Sequence, residues 1–390
     1  MAIVLGLTRL PGVENLAPDY IQFWSASNIL LDGGDPYDPQ LQTAYNAAAG
    51  WDKNQQGLGR YAFLPYYYPP WLALALSPLV PLGYAGAKLV WLALLIECVI
   101  ATAYLLRNSV PGMNPLATMI VCLGFGVWWV TLPIGQTAPL VVLLLVAGWR
   151  LLDAAHDRAA GVVLAWTTIK PQLTICVLAV FIVWAIRQRR WRVLQGLVAM
   201  GSLLLLVSTC VFPGWLPAML DAPRQTPMVT IDRPWLASSW WALLRTFGFS
   251  GGLLGALYLA LAVPVAALTL RAAWDRGTPA LQLFALATLA TLALVPYVRY
   301  YDFPVLLLPL VEVLGRPLPG STRGLLAASF MIVPLALWVM IAGEPSVVVG
   351  QLQGLWMVAA LLGTWIWSDR QQAIGRRSSL PIATQSLRGT

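Results

Sequence analysis

The sequence predicts an all-α fold, a polytopic transmembrane helical bundle, on three observations. Hydrophobic residues make up 59% of the 390 positions, charged residues only 10%, and mean hydropathy is +0.72, a balance too apolar for a soluble protein. Apolar runs follow one another at 66–82, 86–106, 115–132, 136–152, 159–170, 173–186, 192–212, 252–273, 280–296, 303–315, 325–342 and 348–367. These predict about 10–12 membrane-embedded helices. The Arg residues sit in the short loops between runs, where the positive-inside rule accounts for the net charge of +8 and no nucleic-acid partner is called for.

The chain divides into residues 1–65, an external loop region, residues 66–367, the transmembrane helical domain, and residues 368–390, a polar cytoplasmic tail expected to be disordered. Met1–Pro18 carries Arg9, Pro11 and Glu14 and is too short and broken for a signal peptide or a span. Asp19–Pro39 is the longest polar-containing passage with helical patterning. Tyr20, Phe23, Trp24, Ser27, Leu30 and Leu31 fall at helical spacing, which predicts a surface helix with one apolar side. Asp19 and Gln22 read as its capping box, and Gly33-Gly34 as its stop. A rigid turn, Asp35-Pro36-Tyr37-Asp38-Pro39, follows.

Residues 40–65, with Trp51, Lys53, Asn54, Gln55, Gln56 and Arg60, continue the external loop. Tyr66-Tyr67-Tyr68-Pro69-Pro70-Trp71 then opens the first apolar run, as an interfacial aromatic belt does. A full span needs about 20 residues, so the runs at 159–170, 173–186 and 303–315 are short and are expected to be bent, tilted or re-entrant. Non-helical backbone at that depth survives only against protein or a watery cavity.

Arg187, Arg189, Arg190 and Arg192 form the densest basic loop, and Arg370, Arg376, Arg377 and Arg388 lie in the tail, so both are placed in the cytoplasm. Counting from them puts Arg150 with Arg158, Arg271 with Arg276, and Arg316 with Arg323 on the same side. The 213–251 loop, the Arg299 turn and Gly343-Glu344-Pro345 become external. Asp19 and Gln136 then share a face only if one intervening run, such as 66–82 with Pro78 and Pro81, fails to cross. Cys98, Cys122, Cys176 and Cys210 lie singly in apolar runs, without metal-ligand spacing, and read as small core residues. His156, in a short charged loop, is expected to be solvated.

Chemistry concentrates where polar residues interrupt apolar runs. Gly135-Gln136 follows Leu132-Pro133-Ile134, and a Gln amide both donates and accepts, which suits a sugar hydroxyl, although Pro and Gly also break helices for structural reasons alone. Lys170-Pro171-Gln172 places an ammonium between two runs, a site by default unless it pairs or snorkels. Pro296-Tyr297-Val298-Arg299-Tyr300-Tyr301-Asp302 offers either a fork-shaped phosphate clamp with phenols around it or a snorkelled Arg in an aromatic belt. The loop over 214–250 holds Arg224, Asp232, Arg233, Trp235, Trp240, Trp241 and Arg245, and its Trp faces suit sugars or headgroups equally. Walker, Gly-x-Ser-x-Gly, paired-carboxylate DxD and His-rich motifs are missing, so ATP use, serine hydrolysis and soluble nucleotide-sugar transfer have no visible support.

Taken in order, six features carry a resemblance. They are Asp19 with its aromatic neighbour Tyr20, the helix leading to Gly33-Gly34-Asp35-Pro36-Tyr37-Asp38, Tyr68-Pro69-Pro70, Gly135-Gln136, and the Lys170-Pro171-Gln172 and Arg299 turns. The chain resembles the GT-C membrane glycosyltransferases, most of all glycosyltransferase family 87, the polyprenyl-phosphate-mannose and arabinose transferases. It departs from the family where a transmembrane helix is usual before the Asp, and where some relatives place a His in the turn that here holds Tyr.

The resemblance implies a GT-C bundle and inverting transfer of one sugar, mannose first, on the external face of the plasma membrane. It implies a polyprenyl-phosphate donor, a glycan or glycolipid acceptor, and neither cofactor nor metal. Asp19 is then the general base, Lys170 and Arg299 hold the donor phosphate, and Tyr20, Tyr68, Gln136, Tyr297, Tyr300, Tyr301 and Asp302 orient the sugars. The alternative is a transporter or flippase of a lipid-linked saccharide, which would use the same charged turns as a path.

Overall fold

The computed structural model describes residues 16–50, 64–225, 239–342, 354 and 356–368. Outside them lie most of the leading segment, Trp51 through Arg60, Asp232, Arg233 and Trp235, the Gly343–Pro345 turn and the Arg-containing tail. Among the described residues, all regular secondary structure is helical, without strands. In chain order the helices are α1 (Tyr20–Leu31), α2 (Pro39–Ala48), α3 (Pro70–Leu76), α4 (Gly83–Leu106), α5 (Pro115–Leu123), α6 (Trp128–Thr131), α7 (Ala138–Asp153) and α8 (Asp157–Trp166). They continue as α9 (Pro171–Arg187), α10 (Trp191–Val211), α11 (Trp215–Gln225), α12 (Trp240–Thr246), α13 (Gly251–Trp274), α14 (Ala280–Leu294), α15 (Leu307–Leu314) and α16 (Gly320–Ala342). A last apolar helix, α17, runs Trp356–Ser368. Tighter 3₁₀ turns at Ser77–Leu82, Thr167–Ile169 and Tyr300–Leu306 join some of them.

Among the described residues, Pro70–Leu106, α10 and α13 are long and apolar enough to cross a bilayer, and Pro115–Thr131, α9, α14, Gly320–Ala336 and α17 are shorter apolar helices. α10 and α13 turn most of their apolar surface outward. Val198, Leu206, Val263 and Leu268 are exposed, as side chains facing lipid tails are. That position also corrects the expectation for Cys210. Cys98 and Cys122 are buried, but Cys210 is exposed, because it rides on the outer face of α10.

Helix α1 corrects two expectations. It is not a surface helix, since Tyr20, Ile21, Phe23, Ala26 and Ile29 are all buried and even Gln22, Ser25 and Ser27 are covered. Its small hydroxyl residues let neighbours close in from several sides. Ser27 Oγ donates to the carbonyl of Ala73 on α3 at 2.8 Å, and Ser25 Oγ reaches Asn46 on α2 at 2.6 Å. Phe23 lies edge-on to Tyr68 and to Trp91, with ring centroids 5.0 and 5.8 Å apart. Burial of such a ring contributes about 2–3 kcal/mol. Asp19 is the N-cap residue, but its backbone is already helical and its side chain accepts no bond from α1, so the capping box with Gln22 does not form. The expected stop is present: Gly33 takes φ +75°, and the Gly34 amide donates to the Ile29 carbonyl at 2.8 Å.

Backbone contacts fix which ends of the bundle meet. The Ala17 amide donates to the Pro133 carbonyl at 2.6 Å and the Asp19 amide to the Ile134 carbonyl at 3.1 Å. Asp19 and Gln136 therefore share one end of the bundle. Between them lies seven-residue α3, followed by a 3₁₀ turn with Pro78 and Pro81.

The basic loops gather at the far end. Arg190 is ion-paired with Asp157, the Arg187 Nε donates to the Trp274 carbonyl at 3.3 Å, and the Gln188 amide donates to the Arg276 carbonyl at 3.1 Å. There α8 and α10 touch backbone to backbone. A Cβ on Gly161 would lie 2.0 Å from the Val193 carbonyl, and one on Gly196 would lie 2.1 Å from that of Arg158.

Candidate active site

The site is assembled at the loop end where Asp19 and Gln136 meet. Gly135 takes φ +80°, and a Cβ there would fall 2.6 Å from that of Ala17, so only glycine permits both the turn and the approach of the two strands of chain. Its carbonyl accepts from the indole nitrogen of Trp91 on α4 at 2.8 Å. The loop is thereby pinned from two sides. Gln136, 2% exposed, then projects its amide between three chemical groups.

The Gln136 Nε2 donates to Asp19 Oδ2 in a short contact. Its Oε1 accepts from the Tyr68 hydroxyl at 2.8 Å and from Lys170 Nζ at 3.2 Å. The two sides of the amide are thus assigned by chemistry: an acceptor-only carboxylate faces the NH₂, and two donors face the oxygen. Lys170, 1% exposed, is delivered by the break between the Thr167–Ile169 turn and α9, with its own backbone at φ −133°, ψ 75°. Pro171 at the first helical position starts α9 without an amide to satisfy.

Lys170 Nζ lies 2.5 Å from Asp302 Oδ1, both side chains being essentially inaccessible. The other Asp302 oxygen accepts the Arg299 amide at 3.0 Å, which closes the start of the Tyr300–Leu306 turn. Half-buried Arg299 extends a nitrogen to within 3.5 Å of the Tyr301 hydroxyl and sits 5.5 Å from the centre of that ring. Lys170 is 5.0 Å from the same ring centre on its own side.

Asp19 is half-buried. Burial pushes its carboxyl above the ordinary aspartate range, opposed by the Gln136 hydrogen bond and by the charges of Arg299 and Lys170. Tyr300 is within electrostatic reach of Asp19 and Arg299, and Tyr297 of Tyr68, Tyr301 and Arg299.

The Gly-Gly-Asp-Pro-Tyr-Asp turn turns out to be a support for Tyr68. Asp35 Oδ1 accepts the Tyr37 amide at 2.8 Å, Tyr37 donates its hydroxyl to the Tyr68 carbonyl at 2.8 Å, and Asp38 caps α2 by accepting the Gln40 amide at 2.7 Å. From α2, Gln42 Oε1 accepts the Tyr66 amide at 3.0 Å.

The structure therefore brings together Asp19, Tyr68, Gln136, Lys170, Arg299, Tyr301 and Asp302, with Tyr297 and Tyr300 beside them. Tyr20 is different. It stacks at 5.9 Å on Trp91 and 6.3 Å on Tyr84, in a wall of rings. Trp240 and Trp241 of α12 also face inward to the fold: the Trp240 indole donates to the Leu257 carbonyl at 3.3 Å, and Trp241 packs edge-on against Tyr258. Their segment is tied to the site through Ser239, whose hydroxyl donates to the Pro296 carbonyl at 2.5 Å.

Sequence reasoning found the run 86–106 but not the residues that α4 turns toward the site. Tyr84, buried Lys88 and Trp91 lie along one side of it, with Lys88 Nζ 5.4 Å from the Tyr84 ring centre. The signal was available, since a Lys within an apolar run is the same observation that singled out Lys170.

Two carboxylates and two cations thus alternate along one polar array, and their formal charges cancel. Such an array is able to accept a proton at its half-open carboxylate and to stabilise an anion near its guanidinium. In comparison with known proteins, the family model of glycosyltransferase family 87 matches residues 66–296, more than half of the chain. No curated protein and no solved structure matches.

Proposed function

Starting from a chain that belongs to glycosyltransferase family 87, we propose that this membrane glycosyltransferase moves one sugar, mannose first among the candidates, from a polyprenyl-phosphate donor to a glycan or glycolipid acceptor. The transfer inverts the anomeric centre and takes place on the external face of the plasma membrane. The observation that supports this most is the state of Asp19. Its carboxylate is not consumed by capping α1 and is instead held by Gln136, within reach of Arg299 and Lys170.

In the proposed step, the acceptor hydroxyl gives its proton to Asp19 as its oxygen forms a bond to the anomeric carbon. The bond from that carbon to the donor phosphate oxygen breaks, and its electron pair leaves with the lipid phosphate. Asp19 loses one negative charge while the phosphate gains one, so the charge of the site as a whole is conserved through the transition state. Arg299, half-buried and fork-shaped, is suited to meet the growing phosphate charge directly. Lys170 acts from behind it, oriented by Gln136 and Asp302. Tyr68, Tyr297, Tyr300 and Tyr301 would orient sugar hydroxyls, and Tyr20 would wall the acceptor side. No metal is called for, since the leaving phosphate is stabilised by the two cations.

External placement is supported by the charge distribution. The site stands one helix length from the loops carrying Arg150, Arg158, Arg187, Arg189, Arg190 and Arg192, which the positive-inside rule assigns to the cytoplasm. The test is incubation of the reconstituted protein in proteoliposomes with a set of radiolabelled polyprenyl-phosphate sugars. Label on an acceptor supports the proposal, and its sugar names the donor. Lipid exchange between leaflets without covalent transfer overturns it in favour of a flippase.

A further inference from the structure

The basic end of the bundle carries a second feature that the transfer chemistry does not use. An open cavity of about 470 Å³ is lined by Asp157, Arg158, Arg189, Arg190, Trp191, Arg192 and Gln195, setting four guanidinium groups against one carboxylate. Positive charge at the end of a span is ordinary. The arrangement of these arginines is not.

Arg190 is the structural member. It pairs with Asp157 through two nitrogens and donates to the Leu152 carbonyl at 2.9 Å, which neutralises the one acid in the cavity and locks the α7–α8 and α9–α10 connections together. Arg158 is steered by Gln195, whose Oε1 accepts from its Nε at 3.2 Å. Arg189 and Arg192 are exposed and have no ion-pair partner among the described residues.

The backbone fixes where the Arg189 side chain leaves the helix end. The two connections are built alike: His156 and Arg190 share φ −86°, ψ 60°, and each is preceded by a residue in the left-handed region, Ala155 at φ +59° and Arg189 at φ +57°. Glycine is the residue such a helix end favours. Here alanine and arginine hold that conformation, so position 189 accepts glycine without loss of the turn. Beside it, Trp191 is 53% exposed at the first turn of a helix able to span the bilayer, which puts the cavity at headgroup depth.

We propose that this cavity binds a phosphate monoester or diester, with Arg158, Arg189 and Arg192 as its contacts and Trp191 against the glycerol or acyl margin. The source favoured by depth and by the exposed Trp is the headgroup of an anionic lipid in the leaflet opposite the transfer site. A soluble phosphate compound shares the same chemistry.

The experiment compares the full-length wild-type protein with Arg189→Gly/Arg192→Gln. Both are reconstituted in vesicles of phosphatidylcholine containing phosphatidylglycerol, and lipid retained through mild detergent extraction is counted by native mass spectrometry. Thermal unfolding with and without inorganic phosphate forms the second arm. Wild type is expected to retain phosphatidylglycerol over phosphatidylcholine, and the variant to lose that preference by roughly fivefold for each arginine removed. The variant should melt no lower than wild type, because glycine suits position 189. Retained lipid that phosphate does not displace identifies the lipid source. Stabilisation of wild type but not the variant by phosphate identifies the soluble one. Equal lipid preference in both proteins, with no differential phosphate effect, overturns the proposal. Arg192→Gln alone serves as the second variant if the double substitution unfolds.

Discussion

Lys170 and Asp302 form an ion pair, Nζ to Oδ1 at 2.5 Å, between two side chains that solvent does not reach. Removing one member of such a pair strands the other charge and costs about 3–5 kcal/mol, whereas removing both costs far less. Asp302→Asn and Lys170→Met are therefore each expected to lower the melting temperature in detergent. The double variant should recover most of that loss while transfer activity stays absent. A loss in the double variant equal to the sum of the two single losses would show that the pair carries no coupling.

Asp19 makes a prediction with a sign. Burial raises its carboxyl above the unfolded value, so the folded protein binds the proton more tightly than the unfolded chain does. Its contribution to stability is fully present below the unfolded value and is lost as pH rises through the folded one. Transfer needs the ionised base, so activity should climb across that same window, beginning above the ordinary aspartate range of about 4. Asp19→Asn should remove the acidic limb and about 10²–10⁴ of the rate. Near-normal turnover in that variant would reduce Asp19 to a backbone position.

Gln136 links the base to the cations, so its loss should be felt at both. In Gln136→Leu the carboxylate loses a donor that favours its ionised form, and the acidic limb of the pH–rate profile should move upward. A rate loss of about 10²-fold is expected from misplacement of the base. A lower rate with an unmoved pH profile would mean that Gln136 acts only on the sugar.

Gly135 and Gly33 form a matched comparison. Both take positive φ, +80° and +75°, but a Cβ at Gly135 meets Ala17 at 2.6 Å while one at Gly33 meets nothing within 4 Å. Alanine at either position should cost about 1–2 kcal/mol through backbone conformation alone. Only Gly135→Ala should also part the Asp19 and Gln136 segments and so reduce transfer well beyond its effect on melting. Similar activity in the two variants would contradict that account.

Much of the site was legible because polar residues that interrupt apolar runs are costly and have few structural excuses. Lys170, Gln136, Arg299 and Asp302 were singled out that way, and the fold brings them together as a candidate site. What stayed hidden depended on pairing at long range. Capping rules look three residues ahead, so Asp19 was assigned to Gln22, whereas its partner Gln136 lies on a segment brought in by the fold. Lys170 was assigned to the donor phosphate and Asp302 to the sugar, and the ion pair between them was not anticipated. The helical spacing in α1 identified the helix but not its surroundings, because Ser25, Ser27 and Gln22 look solvent-facing until α2 and α3 cover them.

The distance in sequence between Lys170 and Asp302 bears on how the protein is made. Lys170 leaves the ribosome well before its counter-charge is synthesised, so during insertion the ammonium has nothing acidic from the Arg299 turn to settle against. Until then only the earlier Gln136 and Asp19 are there to meet the ammonium. Premature termination anywhere between the two positions would leave a nascent chain that cannot complete its own interior, a natural mark for membrane quality control to act upon.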